Sequence, residues 1–232
     1  MTTWFIYKGV DSREMGVIAR SYPGPARASE RMKAIPIPAR FEVLHKREGD
    51  YPVYDPIDMG MEIAVERGGD PGKALNWLRG DGDMVFGDAP NFTRHVWLTD
   101  DLELKPFGKR RAIWTGTLNM EGAPYRMERF PAVLSPARTD YLKNPGDYEA
   151  YPLITIGGSG TCDITIGGKT ISPTGISGTV TLDCAAKIAV TDGQSSSGIV
   201  SGDWPVIEPG RQEIIWSGTA TSVIIAPRWR YV

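Results

Sequence analysis

The part of the sequence that most restricts the fold is its end, from residue 202 onward. Glycine- and proline-containing clusters at 202–205 and 208–210 divide it, and the runs at 212–216 and 221–226 are rich in β-branched and aromatic residues. We expect two strands there, with a turn at 217–220 between them. Because untethered ends fray and favour polar residues, an apolar ending indicates a strand held in a sheet. The pattern predicts a β-sandwich edge, built for packing rather than for an active site.

The first part of the chain predicts short strands and a single helix. Strands are expected at 4–7, 31–37, 39–44, 56–66, 84–86, 93–99 and 111–120. The helix signal follows Gly69: Asp70 suits an N-cap, Pro71 fits the first turn, and Gly80 ends the apolar periodicity.

The second part predicts strands alone. They are expected at 153–156, 163–166, 169–171, 178–183, 187–191, 199–200, 212–216 and 223–226. Gly167-Gly168 predicts a hairpin turn, and residues 157–160 predict a turn at a strand end. Short strands at this spacing are typical of a sandwich or jelly roll.

Charge is distributed unevenly along the chain. Residues 1–143 carry 21 Lys and Arg and 20 Asp and Glu, whereas residues 144–232 carry 5 and 8. Asn144-Pro145-Gly146 is a strong turn signal at the same place. We therefore predict two domains, 1–143 and 144–232.

Composition excludes some classes of function. A net charge of −2 argues against nucleic-acid recognition, which needs a basic face to neutralise phosphates. No stretch approaches the roughly 20 apolar residues of a membrane span, and the first residues lack the pattern of a secretory signal. Without an export signal, Cys162 and Cys184 are expected to be reduced, buried thiols.

Signals for catalysis or metal binding are weak. His45 is expected in a solvated loop and His95 in a strand, and neither has a nucleophile and an orienting acid near it in sequence. Residues 68–74 fail as a phosphate-binding loop because the spacing is short and Ala74 replaces the hydroxyl that would hold magnesium. Residues 81–83 lack the closing Glu of a calcium loop and predict a hairpin turn. We predict no catalytic residues, no metal and no cofactor.

The tryptophans divide by their surroundings. Trp77, Trp114 and Trp216 lie in predicted elements and are expected in the core, whereas Trp204 and Trp229, flanked by Pro and Arg, are candidate interface residues.

Motifs along nearly the whole chain follow one order. They are an aromatic strand and Asp-Ser pair at 5–17, Ile35-Pro36, Tyr51, the strand at 57–65, Trp77-Leu78, the strand and turn at 84–88, residues 151–160, residues 204–210 and residues 222–230. In this order they resemble the distal tail protein family of long-tailed, siphovirus-like bacteriophages. The family's Gly-Arg-x-Gly turn after Ile-Pro is missing, since Arg40 is present without either glycine.

The resemblance implies a mainly β protein: an N-terminal β-sandwich-like domain with one short α-helix, and a C-terminal galectin-like β-sandwich. It implies a structural, non-enzymatic role in the virion, at the distal end of the tail, after assembly in the host cytoplasm. The implied assembly is a homo-hexameric ring that connects the tail-tube protein to the tail-tip hub or fibre protein.

Dense charge next to prolines suggests which regions hold such a ring together. We expect interfaces at 31–40 and 100–111, which contain Arg31, Arg40, Lys109, Arg110 and Arg111. An alternative function is a carbohydrate-binding module that uses an exposed Trp204 or Trp229. A hydrolytic enzyme would need a nucleophile constellation that the sequence lacks.

Overall fold

The computed structural model describes residues 3–36, 43–47, 52–99, 101–108 and 112–232, with the backbone alone at residue 43. Contacts divide the chain into two compact units, Met1–Arg126 with Val232, and Met127–Tyr231. The predicted fold class, mainly β with one short α-helix, is confirmed.

The first unit is built from antiparallel strands. They are β1 (Phe5–Tyr7), β2 (Val10–Asp11), β3 (Val17–Ala19), β4 (Met32–Pro36), β5 (Val43–Arg47), β6 (Ile57–Val65), β7 (Asp81–Phe86), β8 (Phe92–Leu98), β9 (Lys105–Phe107) and β10 (Ile113–Gly122). The main sheet has the order β2-β1-β7-β8-β10-β6-β3, with β9 against β10, while β4 and β5 form a separate two-stranded sheet. A 3₁₀ turn at Ser12–Met15 precedes β3.

The main sheet curls until its two ends meet. Thr3, just before β1, bridges to Ala19 of β3, whose N–H donates to the Thr3 carbonyl at 3.1 Å. The hydroxyl of Tyr22 accepts from the N–H of Trp4 at 2.9 Å and donates to its carbonyl at 2.8 Å. Tyr22 thus serves both backbone groups of Trp4, whose carbonyl also accepts from the N–H of Gly87 at 3.0 Å.

The α-helix α1 (Pro71–Trp77) lies where the sequence predicts it. Asp70 Oδ1 accepts from the N–H groups of Gly72 and Lys73, and Pro71 occupies the first turn. Trp77 stacks on Phe5 with ring centroids 5.6 Å apart, and so closes the core of the curled sheet. The buried aliphatic and aromatic residues of this core include Phe5, Tyr7, Val17, Met61, Ile63, Val65, Met84, Val96, Leu118 and Met120.

The second unit is a layered antiparallel structure without an α-helix among its residues. Its strands are β12 (Thr139–Asn144), β13 (Leu153–Ile166), β14 (Lys169–Pro173), β15 (Ile176–Asp183), β16 (Ile188–Thr191), β17 (Gln194–Ser195), β18 (Val200–Gly202), β19 (Gly210–Ala226) and β20 (Arg230–Tyr231). The order is β12-β19-β13-β15-β16-β17, and β14 joins β13 to β18. The short β11 (Arg126–Glu128) pairs with β20, and Ser197–Ile199 form a 3₁₀ turn.

Two long strands replace four predicted short ones. The turn predicted at 217–220 is wrong, because β19 runs unbroken through it, and the turn predicted at 157–160 is wrong for the same reason in β13. The β13–β19 register shifts between Gly157 and Gly158 and again before Cys162. The glycine-rich residues therefore form a bulge within a continuous strand and not a turn. At Gly218, with φ of +101°, a Cβ would collide with the Thr161 carbonyl oxygen.

The division between the units differs from the predicted boundary in position. Contacts place it at 126/127, and residues 127–143 belong with the second unit. Within them, β12 pairs with β19 over six residues, from Thr139 opposite Ile215 to Asn144 opposite Gly210. Whether 1–143 and 144–232 behave as the folding domains stays a prediction.

Candidate assembly surfaces

Strands β4 and β5 form a two-stranded ribbon, called here the ribbon. In its register Lys33 lies opposite Lys46, and Ile35 lies opposite Leu44. Because opposite residues share a face and side chains alternate, these four make up one face, the lysine face. Leu44 is 53% exposed, and both lysines are exposed. Neither lysine forms an ion pair with any residue that the structure describes.

The two segments that lead into and out of the ribbon are joined to each other at its base. Glu30 bridges to Tyr54, and Arg31 donates from its backbone N–H to the Val53 carbonyl at 2.6 Å. The Arg31 guanidinium donates twice to Asp55 Oδ1, at 3.0 and 2.7 Å. The ribbon is therefore held together at its base, while Lys33, Leu44 and Lys46 on its lysine face are exposed.

The outer face of the curled sheet carries an acidic aromatic cluster, called here the Trp97 patch: Asp81, Asp83, His95, Trp97 and Glu121. Trp97 lies directly opposite Asp81 on β7 and directly opposite Glu121 on β10. It is 43% exposed, and the three carboxylate residues are exposed. An exposed tryptophan between carboxylates is the kind of anchor that protein interfaces use.

His95 holds the two aspartates of the patch. Its Nδ1 lies 3.0 Å from Asp83 Oδ1, its Nε2 lies 3.4 Å from Asp81 Oδ2, and its ring meets Trp97 edge-on at 4.9 Å between centroids. A catalytic histidine needs one nitrogen for the nucleophile and the other for the orienting acid. Since both nitrogens of His95 face carboxylates, neither is placed to act on a nucleophile. The predicted strand position of His95 is confirmed, whereas the turn predicted at 81–83 is wrong, since these residues begin β7.

Of the sequence-predicted interface residues, Arg31, Trp204 and Trp229 lie among the described residues. Arg31 lies at the base of the ribbon, half exposed and paired with Asp55. Arg40, Lys109, Arg110 and Arg111 lie outside the described residues. Their interface roles stay predictions.

The two candidate tryptophans lie in the second unit. Trp229 is 6% exposed within the core, and Trp204 is half-buried against that core. Because Trp229 is buried, it has little surface to offer a partner or a sugar. Its Pro and Arg neighbours in sequence suggested exposure, but they do not prevent the ring from packing inward. Its expected exposure is wrong, and the interface roles of both residues stay predictions.

The lysine face and the Trp97 patch were not predicted from the sequence. Both follow from strand alternation: Asp81, Asp83, His95 and Trp97 occupy alternate positions along their strands. His45, predicted in a loop, lies on β5 opposite Ala34. What sequence could not supply is the pairing that brings alternate residues from separate strands together.

A cleft of about 550 Å³ opens in the first unit. Its lining includes Pro23, Pro25, Phe86 and Phe92, with the Arg126 guanidinium 4.5 Å from the centre of the Phe92 ring. Among the described residues that line it there is no Ser, Cys or His, so this lining offers no nucleophile with an imidazole base.

The two cysteines are buried in the second unit and not bonded to each other, as predicted. Burial raises the pKa of the Cys162 thiol to about 11 and that of the Cys184 thiol to about 12. Because the thiolate is the reactive form, both thiols are inert at neutral pH.

The described residues show neither a metal-binding cluster nor a membrane-spanning helix. They contain no group of three or more His, Cys, Asp and Glu residues arranged to hold a metal ion. Among their helices, none combines the length and apolar character needed to cross a bilayer.

A curled antiparallel sheet with one capped helix, followed by a layered antiparallel unit, defines the chain as a two-unit, mainly β protein. Its fold is similar over its whole length to that of the SPP1 Dit protein, described as a paradigm of the hub adsorption apparatus in phages that infect Gram-positive bacteria. The TM-score is 0.77 at 15% sequence identity, and the match covers 100% of both chains. No family model matches the sequence, and no curated protein matches it.

Proposed function

We propose that this chain is a structural hub subunit at the distal end of a phage-type tail. One observation carries the proposal: the fold matches SPP1 Dit over 100% of both chains, so neither unit is left to a different role. The motif order along the sequence supports the same assignment independently of the coordinates.

In this proposal six copies form a ring that joins the tail-tube protein to the tip hub or fibre protein. The ring is assembled in the host cytoplasm and remains in the virion. The curled sheet supports a ring built through faces and the ribbon, because the segment before β1 already bridges to β3 at Thr3 and Ala19 and is not open to pairing with another copy there. The role is non-enzymatic and needs no cofactor.

The location can be tested on particles. A phage that carries this chain with a surface epitope would be labelled with gold-conjugated antibody and imaged by electron microscopy. We expect label at the tail end opposite the head, and native mass spectrometry of the purified chain should give six copies. Label on the head, along the tube, or absent from intact particles would contradict the hub assignment.

The alternative of a carbohydrate-binding module gains no support from its proposed aromatic residues. Sugar recognition needs an exposed aromatic ring, and Trp229 is buried while Trp204 is half-buried. The hub is therefore the function that we propose.

A further inference from the structure

The ribbon is an element whose composition and exposure do not suit an isolated chain. A lone two-stranded hairpin is at best marginally stable in water. Lys33 and Lys46 lie directly opposite each other, which places like charges side by side and destabilises the pair. Exposed Leu44 and half-exposed Ile35 add apolar surface to the same face. A partner that supplies carboxylates and an apolar contact would remove both costs.

The Trp97 patch has the complementary chemistry. Asp81 and Asp83 are two residues apart on one strand, so their side chains leave the sheet about 7 Å apart on one face. Opposed Cβ atoms such as those of Lys33 and Lys46 lie about 5 Å apart, which lets two flexible lysines reach two such carboxylates. Trp97 lies between Asp81 on β7 and Glu121 on β10, and offers a ring for Leu44 and Ile35 to cover.

The other acidic surface of the first unit is a poorer match. It forms a groove of about 380 Å³ that includes Asp101 and Glu103. Lys105 Nζ lies 3.0 Å from Glu103 Oε2, and Asp101 accepts hydrogen bonds from Thr99 and Asn119. Its carboxylates already have partners within the chain. The groove also contains the cations Arg20 and Lys105. In the Trp97 patch, Asp81 and Asp83 share a single partner, His95, and Glu121 forms no ion pair with a described residue.

We propose that the ribbon of one copy docks, through its lysine face, on the Trp97 patch of a second copy. This inference rests on the proposed function, since it names the contact by which hub subunits hold one another. The ribbon and the patch are different surfaces, so each copy gives one and receives one. Such a heterologous contact closes into a ring when the rotation between copies permits.

Charge reversal on each side tests the contact. We expect Lys33→Glu with Lys46→Glu, and separately Asp81→Lys with Asp83→Lys, to weaken self-association of the full chain by roughly 100-fold or more, because like charges across an interface cost several kcal/mol. The readout is sedimentation velocity of the purified chain. All four substitutions in one chain, which pair a Glu ribbon with a Lys patch, should restore the assembly. A 1:1 mixture of the two double variants should do so as well.

Matched controls separate the contact from general charge effects. Lys143→Glu with Lys187→Glu makes the same charge change on exposed residues of the second unit and should leave self-association unchanged. Circular dichroism checks that each variant is folded, and the restored four-substitution chain shows independently that the changes are tolerated. The wild-type assembly should also weaken as salt is raised.

Several results would overturn the inference: a wild-type chain that stays monomeric at its highest soluble concentration, a ribbon variant that assembles like the wild type, or two weakened double variants whose combination stays monomeric. The last result would mean that ribbon and patch meet other partners. Gold label at the tail end together with unaffected variants would leave the hub in place and remove this contact. Label elsewhere would remove the hub even where the contact is real.

Discussion

Asn144 is a buried side chain whose amide is used three times. It is 2% exposed, its Nδ2 donates to the carbonyls of Tyr148 and Ile207 at 3.0 and 2.9 Å, and its Oδ1 accepts from Gly146 N at 2.8 Å. Asn144→Ala leaves buried backbone groups without these partners, and we expect it to lower the free energy of unfolding by about 2 kcal/mol. Urea denaturation measures this. The exposed Asn91→Ala is the control, and equal midpoints for the two variants would contradict the prediction.

Asp183 and Arg228 predict how the second unit responds to acid. Burial by itself would raise the pKa of Asp183, but hydrogen bonds from Arg228, at 2.9 and 3.1 Å, and from the N–H groups of Ala186 and Ala185 outweigh it and lower that pKa. A carboxyl with a lowered pKa in the folded state adds stability above its unfolded pKa. That stability is lost as the pH falls through the folded value.

We therefore expect Arg228→Gln to be less stable than the wild type at neutral pH, by about 1 kcal/mol. The difference should shrink below the ordinary pKa of an aspartate. Thermal melts across the acid range measure it. Lys143→Gln, which removes an exposed cation from the same unit, should show a difference that does not vary with pH. A difference for Arg228→Gln that stays constant into acid would contradict the pairing.

The local structure around some residues was predictable from the sequence, and around others it was not. Asp70 was predictable as a cap because an Asp-Pro pair before an apolar periodicity needs only local chemistry. Asp81-Gly82-Asp83 has the composition of a turn, yet it begins β7, since Gly82 pairs with Val96 and the neighbouring strand decides the conformation. Side chains placed by tertiary pairing, such as those of the Trp97 patch, leave no local signal.

At the scale of elements, the closure of the curled sheet depends on a side chain. Tyr22→Phe keeps the edge-on contact with Phe86 at 6.4 Å and removes only the hydroxyl that serves both backbone groups of Trp4. We expect a loss of about 1–2 kcal/mol in the free energy of unfolding. Amide exchange at Trp4 and Ala19 should accelerate. Tyr141→Phe, at an exposed ring, is the control, and unchanged exchange in the Tyr22 variant would contradict the role.

Many strands were predicted from the sequence, but β3, β9 and β12 were not, and the lengths of β13 and β19 were underestimated. The helix and the Gly167-Gly168 hairpin were both predicted correctly, because each depends on adjacent residues. β13 and β19 were each predicted as two strands, because glycines inside a strand have the same composition as a turn. The bulge arises from the pairing of β13 with β19, and the sequence of either strand alone does not show that pairing.

At the scale of the whole molecule, composition and contacts divide the chain at different places. The charge-poor region begins near residue 144, but the compact second unit begins at Met127. The 17 residues between these points include Leu142, which is buried in the second core, and Pro136, whose carbonyl accepts from Trp216 Nε1 at 3.1 Å. β12 is an edge strand with exposed charged residues, so composition alone assigns it to the charge-rich first part of the chain.

Two truncations test which division governs folding. We expect residues 127–232 to fold cooperatively when expressed alone, because they keep β12 and its six-residue ladder with β19. Residues 144–232 lose that ladder, expose the edge of β19 and should be unfolded or aggregated. Circular dichroism melts and the solubility of the two fragments decide between them, with the full chain as the reference for the folded spectrum. A cooperative transition in 144–232 at the temperature of the longer fragment would show that β12 is dispensable and would restore the boundary that composition predicts.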